Sequence, residues 1–291
     1  MNMTATVLAW ALAQLEAGHK VVLASVIDTS GSVPGKAGAR LAMRSLDEEW
    51  VGTVGGAGLE MTVLKRSALL LSKHNLPAGE VHTFGLNKGA KGYEVTALDS
   101  LCGGRVTLSM EVLVPMPHVL LIGGGHCAQA IAPALEALGW SHSIHDTREE
   151  FCNANLFPQA EDYFHMEASS FVEHHDAMTL SRYSDVLLLG HDWAEDQTRL
   201  LGLLAALQDQ NAPLDGRLSP RVGVIGSRSK WQAFEQAALN QGVKQEVLDQ
   251  VICPIGVNIG AESPEEIAVA VVAQIMSLHK GVNPSDATWR V

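Results

Sequence analysis

Basic residues are scarce in this chain, whose 291 residues include 20 Lys and Arg against 32 Asp and Glu. The formal net charge is therefore −12 with histidine neutral. An acidic protein without a basic stripe repels the phosphate backbone, so we expect no nucleic acid partner. Any anionic ligand must be bound by local donors, because the overall field does not favour it.

Cysteine is also sparse, and no two cysteines form a Cys-x-x-Cys pair. The four residues are Cys102, Cys127, Cys152 and Cys253. Their separation predicts neither a zinc cluster nor a disulfide framework.

Long apolar runs are absent as well, since no segment reaches the length of a membrane span. The first residues lack the pattern of a secretory signal, and Glu16 interrupts their apolar run. They predict an amphipathic helix that ends near Gly18. We therefore expect a cytoplasmic protein with reduced thiols and no membrane partner.

Hydrophobic residues make up 47% of the chain and charged residues 18%, which is typical of globular proteins. A chain of this length has room for about two domains. Two prolines in the segment Val114-Pro115-Met116-Pro117 separate a strand-rich half from a half in which strands and helices alternate. We therefore predict one domain over residues 1–114 and a second over 115–291.

Short runs of apolar and β-branched residues dominate the first half. They predict strands at 20–27, 39–43, 50–54, 81–84 and 105–114. A longer apolar periodicity predicts one helix from about 57 to 73. These elements indicate an α+β domain with a mixed sheet and few helices.

Strands and helices alternate in the second half. Strands are predicted at 118–122, 163–166, 185–189 and 221–225, and another ends at Asp146. This alternation is typical of a parallel, doubly wound sheet, so we predict an α/β protein with a Rossmann-like C-terminal domain.

The last helix has a recognisable start, because Ser263, Pro264 and Glu266 fit a capping box with proline in the first turn. The helix is predicted to run to about Lys280. Its apolar residues are expected to face the sheet; they are Ile267, Val271, Ile275 and Leu278.

The segment after the first of these strands carries the strongest functional signal. Gly123, Gly125 and Ala128 fit the dinucleotide pattern G-x-G-x-x-A, and Asp146 follows about 20 residues later, where a ribose-binding acid is expected. His126 begins the following helix. The alternative is a tight strand-to-helix turn that binds nothing.

Two further strand ends are expected at the same edge of the sheet. Ser227 and Arg228 offer a hydroxyl and a guanidinium to an anion, or form a capped helix start with a solvated arginine. His191 is a candidate to orient a ligand or transfer a proton, or else it caps the sheet edge. Beside Asp146, Arg148 suits a phosphate, but we favour Asp146 as the sugar contact.

Three glycine-rich turns occur in the first half, at 29–40, 52–60 and 101–105. Glycine is needed where the backbone takes positive φ or approaches a ligand closely, so three such turns predict a pocket lined by backbone. Cys102, followed by Gly103, is the best candidate for a soft ligand to a metal or sulfur centre. The alternative is a small core cysteine.

Taken together, these segments resemble the xanthine dehydrogenase accessory protein family, the XdhC/CoxI group. The resemblance covers nearly the whole chain, and its motifs occur in family order. The matching stretches are TSGSVPGKAGARLAM, VGTVGGAGLE, LCGG, HVLLIGGGH, IHDTREEF, LLLGHDWAEDQ, RVGVIGSRSKWQAF and CPIGVNIGAESPEEIAVAVVAQI.

The resemblance implies a non-enzymatic factor that binds molybdenum cofactor, supports its sulfuration and inserts it into a xanthine dehydrogenase. The implied partners are a cysteine desulfurase and the target's molybdenum-binding subunit, and we expect a homodimer. No catalytic residue is predicted. The Rossmann half is expected to hold the phosphate or nucleotide end, and the pocket near Cys102 the metal–sulfur end.

The resemblance also implies site residues in both halves. Those in the family's N-terminal motifs are Gly55, Gly56, Glu60 and Cys102. Those in its Rossmann half are Gly123, Gly125, His126, Asp146, His191 and Arg228. Many relatives carry a cysteine in a GGC-x-E turn, whereas this chain has Ala57 there, so Cys102 serves alone or sulfur chemistry belongs to the partner.

Two other functions fit the same fingerprint. An NAD(P)-dependent oxidoreductase requires a proton donor beside the nicotinamide. None of Tyr93, Tyr163 and Tyr183 begins a Tyr-x-x-x-Lys pair, which leaves His191 as a candidate donor. A nucleotide-sensing regulatory module requires a conformational change between free and bound states.

Overall fold

The computed structural model describes residues 3–44, 49–72, 78–87, 95–98, 103–208 and 220–286. The chain divides into two compact units, Met1–Pro115 and Met116–Val291. Within the described ranges, no helix combines the length and the apolar character that crossing a bilayer requires.

The first unit is built on a six-stranded sheet with the strand order β3-β2-β1-β6-β4-β5. All neighbouring strands are antiparallel except β4 and β5, which are parallel. The strands are β1 (Val21–Ser30), β2 (Arg40–Arg44), β3 (Trp50–Gly52), β4 (Gly79–Gly85), β5 (Val95–Ala97) and β6 (Arg105–Leu113). The helices are α1 (Met3–Glu16) and α2 (Ala57–Leu71).

Alternating side chains of β1 supply two cores in this unit. Val22, Ala24 and Val26 pack on the face covered by α2, whereas Val21 and Leu23 pack with α1. This period of two is the geometry of a strand buried on both faces.

The second unit contains a parallel five-stranded sheet with the order β11-β10-β7-β8-β9. The strands are β7 (His118–Ile122), β8 (Ser141–Asp146), β9 (Tyr163–His165), β10 (Asp185–Leu188) and β11 (Arg221–Val224). The helices are α3 (His126–Ala137), α4 (Ala168–His174), α5 (Ala177–Leu180), α6 (Trp193–Gln208), α7 (Arg228–Asn240), α8 (Gln245–Leu248) and α9 (Pro264–Lys280).

Helices cover both faces of this sheet. Val119 and Leu121 of β7 pack with α3 and α9, whereas Leu120 and Ile122 pack with α4, α6 and α7. A strand buried on both faces must be apolar throughout, which is why β7 has an almost continuous apolar sequence. The predicted α/β class and doubly wound parallel sheet are confirmed.

Two details differ from the prediction. The strand β5 has only three residues, and its short pattern gave no signal. Leu278 was expected to face the sheet but is exposed, because the last turn of α9 buries Ser277 instead. The predicted start of α9 is confirmed, since Ser263 and Glu266 form a reciprocal capping box.

Candidate functional site

A glycine turn joins β7 to α3. Gly123 has a φ of 102°, which residues with a side chain rarely adopt, and its N–H donates to the His145 carbonyl at 2.7 Å. Gly125 is the N-cap of α3, and no side chain of a described residue caps this helix. The first N–H groups of α3 are therefore left for water or a ligand, as at the anion sites of nucleotide-binding folds.

The three glycines of this turn have different surroundings. A Cβ atom on Gly123 would lie 2.8 Å from the backbone nitrogen of Gly190, and one on Gly124 would collide with the Phe151 carbonyl. A Cβ atom on Gly125 would meet no described atom within 4 Å beyond its chain neighbours. Packing thus requires Gly123 and Gly124, whereas Gly125 borders open space.

The loops after β7 and β10 meet where the winding of the sheet reverses. From β7 the chain adds β8 and β9 on one side, and it then crosses from β9 back to β10 on the other side of β7. Ligands of doubly wound sheets bind beyond the carboxyl ends of the strands at this point. The structure brings together the predicted segments that begin at Gly123 and Gly190.

Asp146 ends β8 and is almost completely buried, with 3% of its side chain exposed. Its Oδ1 accepts from the backbone N and Nε of Arg148, both at 2.9 Å. Its Oδ2 accepts from the Gly124 N–H at 2.8 Å and from Arg148 Nη2 at 2.9 Å. Burial by itself would raise the pKa of Asp146, but the bonds from Arg148 and Gly124 outweigh it and lower this pKa.

This geometry changes the interpretation of Asp146. The carboxylate organises the glycine turn and the following loop, and both of its oxygens are already bonded. A ribose diol would first have to displace Arg148. The favoured sugar contact is therefore not available in this conformation, and the sugar-binding role stays a prediction.

A buried ion pair connects α7, which follows β11, to α6, which follows β10. Lys230 Nζ donates to Asp196 Oδ2 at 2.7 Å, and Asp196 has no exposed surface. A Cβ atom on Gly226 would lie 3.1 Å from Lys230 Cδ, and one on Gly190 would collide with Asp196. The loops after β10 and β11 therefore pack around this pair.

Arg199 extends this network towards β8. It is 2% exposed, and its Nε donates to His145 Nε2 at 3.1 Å. Its Nη2 donates to Glu195 at 2.8 Å, and Glu195 also accepts from the Thr147 hydroxyl at 3.1 Å. Charge-assisted hydrogen bonds thus hold the C-terminal end of β8 against the first turns of α6.

His126, His191 and Arg228 are exposed. No hydrogen bond joins the side chains of His191 or Arg228 to a described residue. Ser227 caps α7 by accepting from the Lys230 N–H at 3.3 Å. Ser227 and Arg228 thus have the geometry of a capped helix start, and the anion-binding roles of these residues stay predictions.

The three glycine-rich turns of the first unit converge. A Cβ atom on Gly31 would lie 3.0 Å from the Cα of Gly104, and one on Gly35 would lie 3.3 Å from the Cα of Gly55. The turn of residues 30–38 therefore contacts both others backbone to backbone. Gly103 is exposed, and a Cβ atom on it would meet no described atom within 4 Å.

Glu60 lies in the first turn of α2, where its negative charge interacts favourably with the positive end of the helix dipole. The Thr53 hydroxyl donates to Glu60, and the Gly55 N–H donates to the Thr53 oxygen at 3.2 Å. Gly56 is the N-cap of α2 with a φ of 92°. A ligand-binding role of Gly55, Gly56 or Glu60 stays a prediction.

The predicted soft ligand, Cys102, lies outside the described residues. Burial raises the pKa of the thiols of Cys127, Cys152 and Cys253, which disfavours the reactive thiolate. In the part of the chain that the structure describes, no three His, Cys, Asp or Glu side chains are grouped as metal ligands.

Comparison with known protein families shows to which family the chain belongs. Residues 119–275 match the family described as the XdhC Rossmann domain. Residues 14–84 match the XdhC and CoxI family. The chain belongs to the XdhC family.

Individual relatives of this XdhC protein include the uncharacterized protein YqeB of Escherichia coli (strain K12), 31% identical over 88% of this chain and 43% of that protein. A probable xanthine dehydrogenase subunit from Bacillus subtilis (strain 168) is 27% identical over 60% of this chain and 46% of that protein. The chain spans less than half the length of these curated relatives.

Among solved structures, one titled as a xanthine dehydrogenase from Bacillus halodurans aligns over 99% of both chains at 18% identity, with a TM-score of 0.46.

Sequence reasoning missed the buried cluster behind the XdhC glycine turn. Its members are Asp196, Arg199 and Lys230. A usable signal was the spacing of Glu195, Asp196 and Arg199, which places them on one face of α6. The partners on β8 and α7 are distant in sequence and had no local signal.

Proposed function

We propose that this XdhC-family protein is an accessory factor for a xanthine dehydrogenase-type enzyme. It binds molybdenum cofactor as cargo, supports the sulfuration of that cargo and delivers it to the molybdenum-binding subunit, with a cysteine desulfurase as the sulfur source. Family membership supports the accessory role. The observation that carries the binding role is the open, uncapped start of α3 at Gly125.

Molybdopterin carries a phosphate, and some forms carry a nucleotide as well. A phosphate bound at the start of α3 would accept from backbone N–H groups and gain from the helix dipole. Gly125 leaves room for such a group, and Asp146 fixes the turn through the Gly124 N–H. These features suit cargo binding in an acidic protein, because the donors are local.

We propose that the glycine-rich turns of the first unit contact the metal–sulfur end of the cargo. Their convergence gives a surface lined by backbone, of which Gly103 is an exposed part. The proposed roles of Gly55, Gly56 and Glu60 are to shape this surface, and Cys102 is the proposed sulfur ligand.

A titration of the full chain with molybdenum cofactor under anaerobic conditions tests the proposal. We expect saturable binding by the wild type and at least tenfold weaker binding by Gly125→Val, because valine fills the space over the start of α3. Ser169→Val is the control, since Ser169 is exposed in the first turn of α4, outside both proposed cargo contacts. Thermal unfolding of each variant verifies its fold.

Unchanged cargo binding by a folded Gly125→Val variant would show that the cargo does not bind at this turn. Stabilisation of the wild type by NAD or NADP but not by molybdenum cofactor would favour the oxidoreductase instead. Failure of all three ligands to bind would contradict the proposed function.

Cys102→Ala tests the sulfur end separately. We expect this variant to release bound cofactor faster than the wild type in equilibrium dialysis, because a thiolate ligand is lost. Cys253→Ala is the control, since the Cys253 thiol is half-buried in the second unit and burial raises its pKa. Equal retention by both variants would exclude Cys102 from the site.

A further inference from the structure

Three successive glycines form the turn between β7 and α3, and Gln129 of α3 donates a hydrogen bond back to this turn. We propose that Gln129 is a positioning residue. It fixes the peptide plane between Gly124 and Gly125 and so directs the Gly125 N–H towards the anionic group of a bound ligand. This inference rests on the proposed function, because it concerns the same turn at the start of α3.

The glycines make this turn easy to rearrange. Glycine adopts either sign of φ, so a peptide plane with glycine on both sides can rotate by about 180° without a side-chain clash. The plane between Gly124 and Gly125 has glycine on both sides. Its rotation would exchange the directions of its C=O and N–H groups. A carbonyl oxygen would then face an anion where an N–H is needed, so anion binding requires contacts that fix this plane.

Gln129 binds two successive carbonyl groups of the turn. Its side-chain Nε2 donates to the Gly124 carbonyl at 3.0 Å, and its backbone N–H donates to the Gly125 carbonyl, also at 3.0 Å. The second bond is an ordinary helix bond, whereas the first depends on the side chain. The Gly124 N–H donates to Asp146 at 2.8 Å. Both polar groups of Gly124 are therefore bound, and Gln129 supplies the contact to the plane that leads to Gly125.

The bond from the Gln129 side chain requires a donor. A carbonyl oxygen only accepts, so the group that faces Gly124 must be the NH2 of the amide and not its oxygen. Glutamate has a similar length but only accepts when ionised, and methionine has a similar length without a donor. These two substitutions therefore separate the hydrogen bond of Gln129 from the size of its side chain.

The direction of the bonded carbonyl determines where the next N–H points. In a trans peptide the C=O and N–H groups point in opposite directions, and the peptide between Gly124 and Gly125 is trans. Because the Gly124 carbonyl points towards Gln129, the Gly125 N–H points away from Gln129. No hydrogen bond joins the N–H of Gly125 or of His126 to a described residue. Gln129 thus holds a donor in a fixed direction at the start of α3, where Gly125 borders open space.

NMR spectroscopy of the full chain tests the positioning without a ligand. Residual dipolar couplings report the direction of the Gly125 N–H relative to the N–H groups of α3. We expect a value that fits one orientation in the wild type and a reduced coupling in Gln129→Met, because the peptide plane is no longer fixed. The couplings of Ile131 and Leu135 in the same helix should not change, which separates rotation of the plane from a disturbed fold.

Anaerobic titration of the same proteins with molybdenum cofactor tests what this direction contributes. We expect Gln129→Met to bind the cofactor about fivefold more weakly than the wild type, as the loss of one directed hydrogen bond implies. Gln129→Glu should bind at least as weakly, because a carboxylate cannot donate to the Gly124 carbonyl. Gln129→Asn, whose amide is one methylene shorter, replaces Gln129→Met if that variant does not fold.

Gln236→Met is the matched control for the titration. It makes the same chemical change on α7, where Gln236 is exposed and its side chain donates to Asn240 at 3.1 Å. This variant should bind molybdenum cofactor as the wild type does. Weaker binding by Gln129→Met and Gln236→Met alike would overturn the inference, because the loss would then not depend on the turn.

Two further results would overturn the inference. The first is an unchanged Gly125 coupling in Gln129→Met, which would show that the side chain does not fix the plane. The second is a changed coupling with equal binding of molybdenum cofactor, which would show that the Gly125 N–H does not contact the cargo.

Failure of the proposed function can be distinguished from failure of this inference. If molybdenum cofactor does not bind to the wild type, the cargo assignment is wrong, and inorganic phosphate replaces it in the titration. Weaker phosphate binding by Gln129→Met than by the wild type would still support the positioning role. Equal phosphate binding by the two proteins, or none by the wild type, would overturn it.

Discussion

His145 accepts a hydrogen bond from a guanidinium, and this determines its protonation state. Arg199 Nε can only donate, so His145 Nε2 must carry the lone pair. The proton is then on Nδ1, which donates to the Phe164 carbonyl at 2.7 Å. The ring stacks on Phe171 at a centroid distance of 4.0 Å. Burial lowers the pKa of His145 to about 4.

A neutral buried histidine makes stability depend on pH. The folded pKa lies below the unfolded value, so the unfolded chain binds more protons between about pH 6.5 and 4. Stability should fall as the pH falls through this range, by up to about 1.4 kcal/mol per unit for His145. Urea unfolding at several pH values should show a smaller acid loss for His145→Gln than for the wild type.

His165→Gln is the control for this measurement, because His165 is exposed on the neighbouring strand. Burial also lowers the pKa values of His118, His142 and His175, so a residual slope remains in every variant. If the free energy of unfolding has the same pH dependence in His145→Gln and the wild type, folding does not lower the pKa of His145 as described.

At the scale of elements, α9 has both of its ends defined by local chemistry. The Ser263 side chain accepts from the Glu266 N–H, and the Glu266 carboxylate accepts from the Ser263 N–H. Gly281 ends the helix in the left-handed conformation at a φ of 64°. These signals lie within a few residues, which explains why the sequence predicted the start and end of α9 correctly.

Ser263→Ala should lower the free energy of unfolding by about 1 kcal/mol, because one N–H group of α9 loses its acceptor. Chemical denaturation of the wild type and the variant measures this difference. Ser285→Ala is a suitable comparison, since only its backbone N–H bonds to Asn283 among the described residues. A loss of equal size in both variants would show that the cap contributes nothing specific.

Elements without local signals were not predicted. β5 has three residues and pairs with β4 at the edge of the sheet, so its register depends on a distant partner. Leu278 continues the apolar period of α9, but in the last turn Ser277 is buried and Leu278 is exposed. Periodicity identifies the apolar face of a helix, but it does not show which residues of that face are buried by other elements.

At the scale of the whole molecule, each unit has a hydrophobic core of its own. The second unit also completes its parallel sheet, with helices on both faces. We therefore expect a fragment of residues 116–291 to fold by itself and to unfold cooperatively. Circular dichroism during thermal and urea unfolding measures this. A fragment without cooperative unfolding would contradict the predicted independence of the Rossmann domain.

The sequence alone determined the alternation of strands and helices, the glycine turn at Gly123 and the acidic balance of the chain. These features depend on residues close together in the chain or on composition, so they can be recognised without a structure. They also carried the resemblance to the XdhC family, which the comparisons confirmed.

Only the tertiary structure decided which partners the polar residues of the site contact. Asp146 was predicted to bind a sugar, yet folding places the Gly124 N–H and the Arg148 guanidinium on its oxygens. Lys230 reaches Asp196 from 34 residues away, and Arg199 reaches His145 from 54. An unpaired buried charge is costly, so each of these charges needs a partner close to it in the folded chain. These partners are distant in sequence, so sequence spacing does not reveal them.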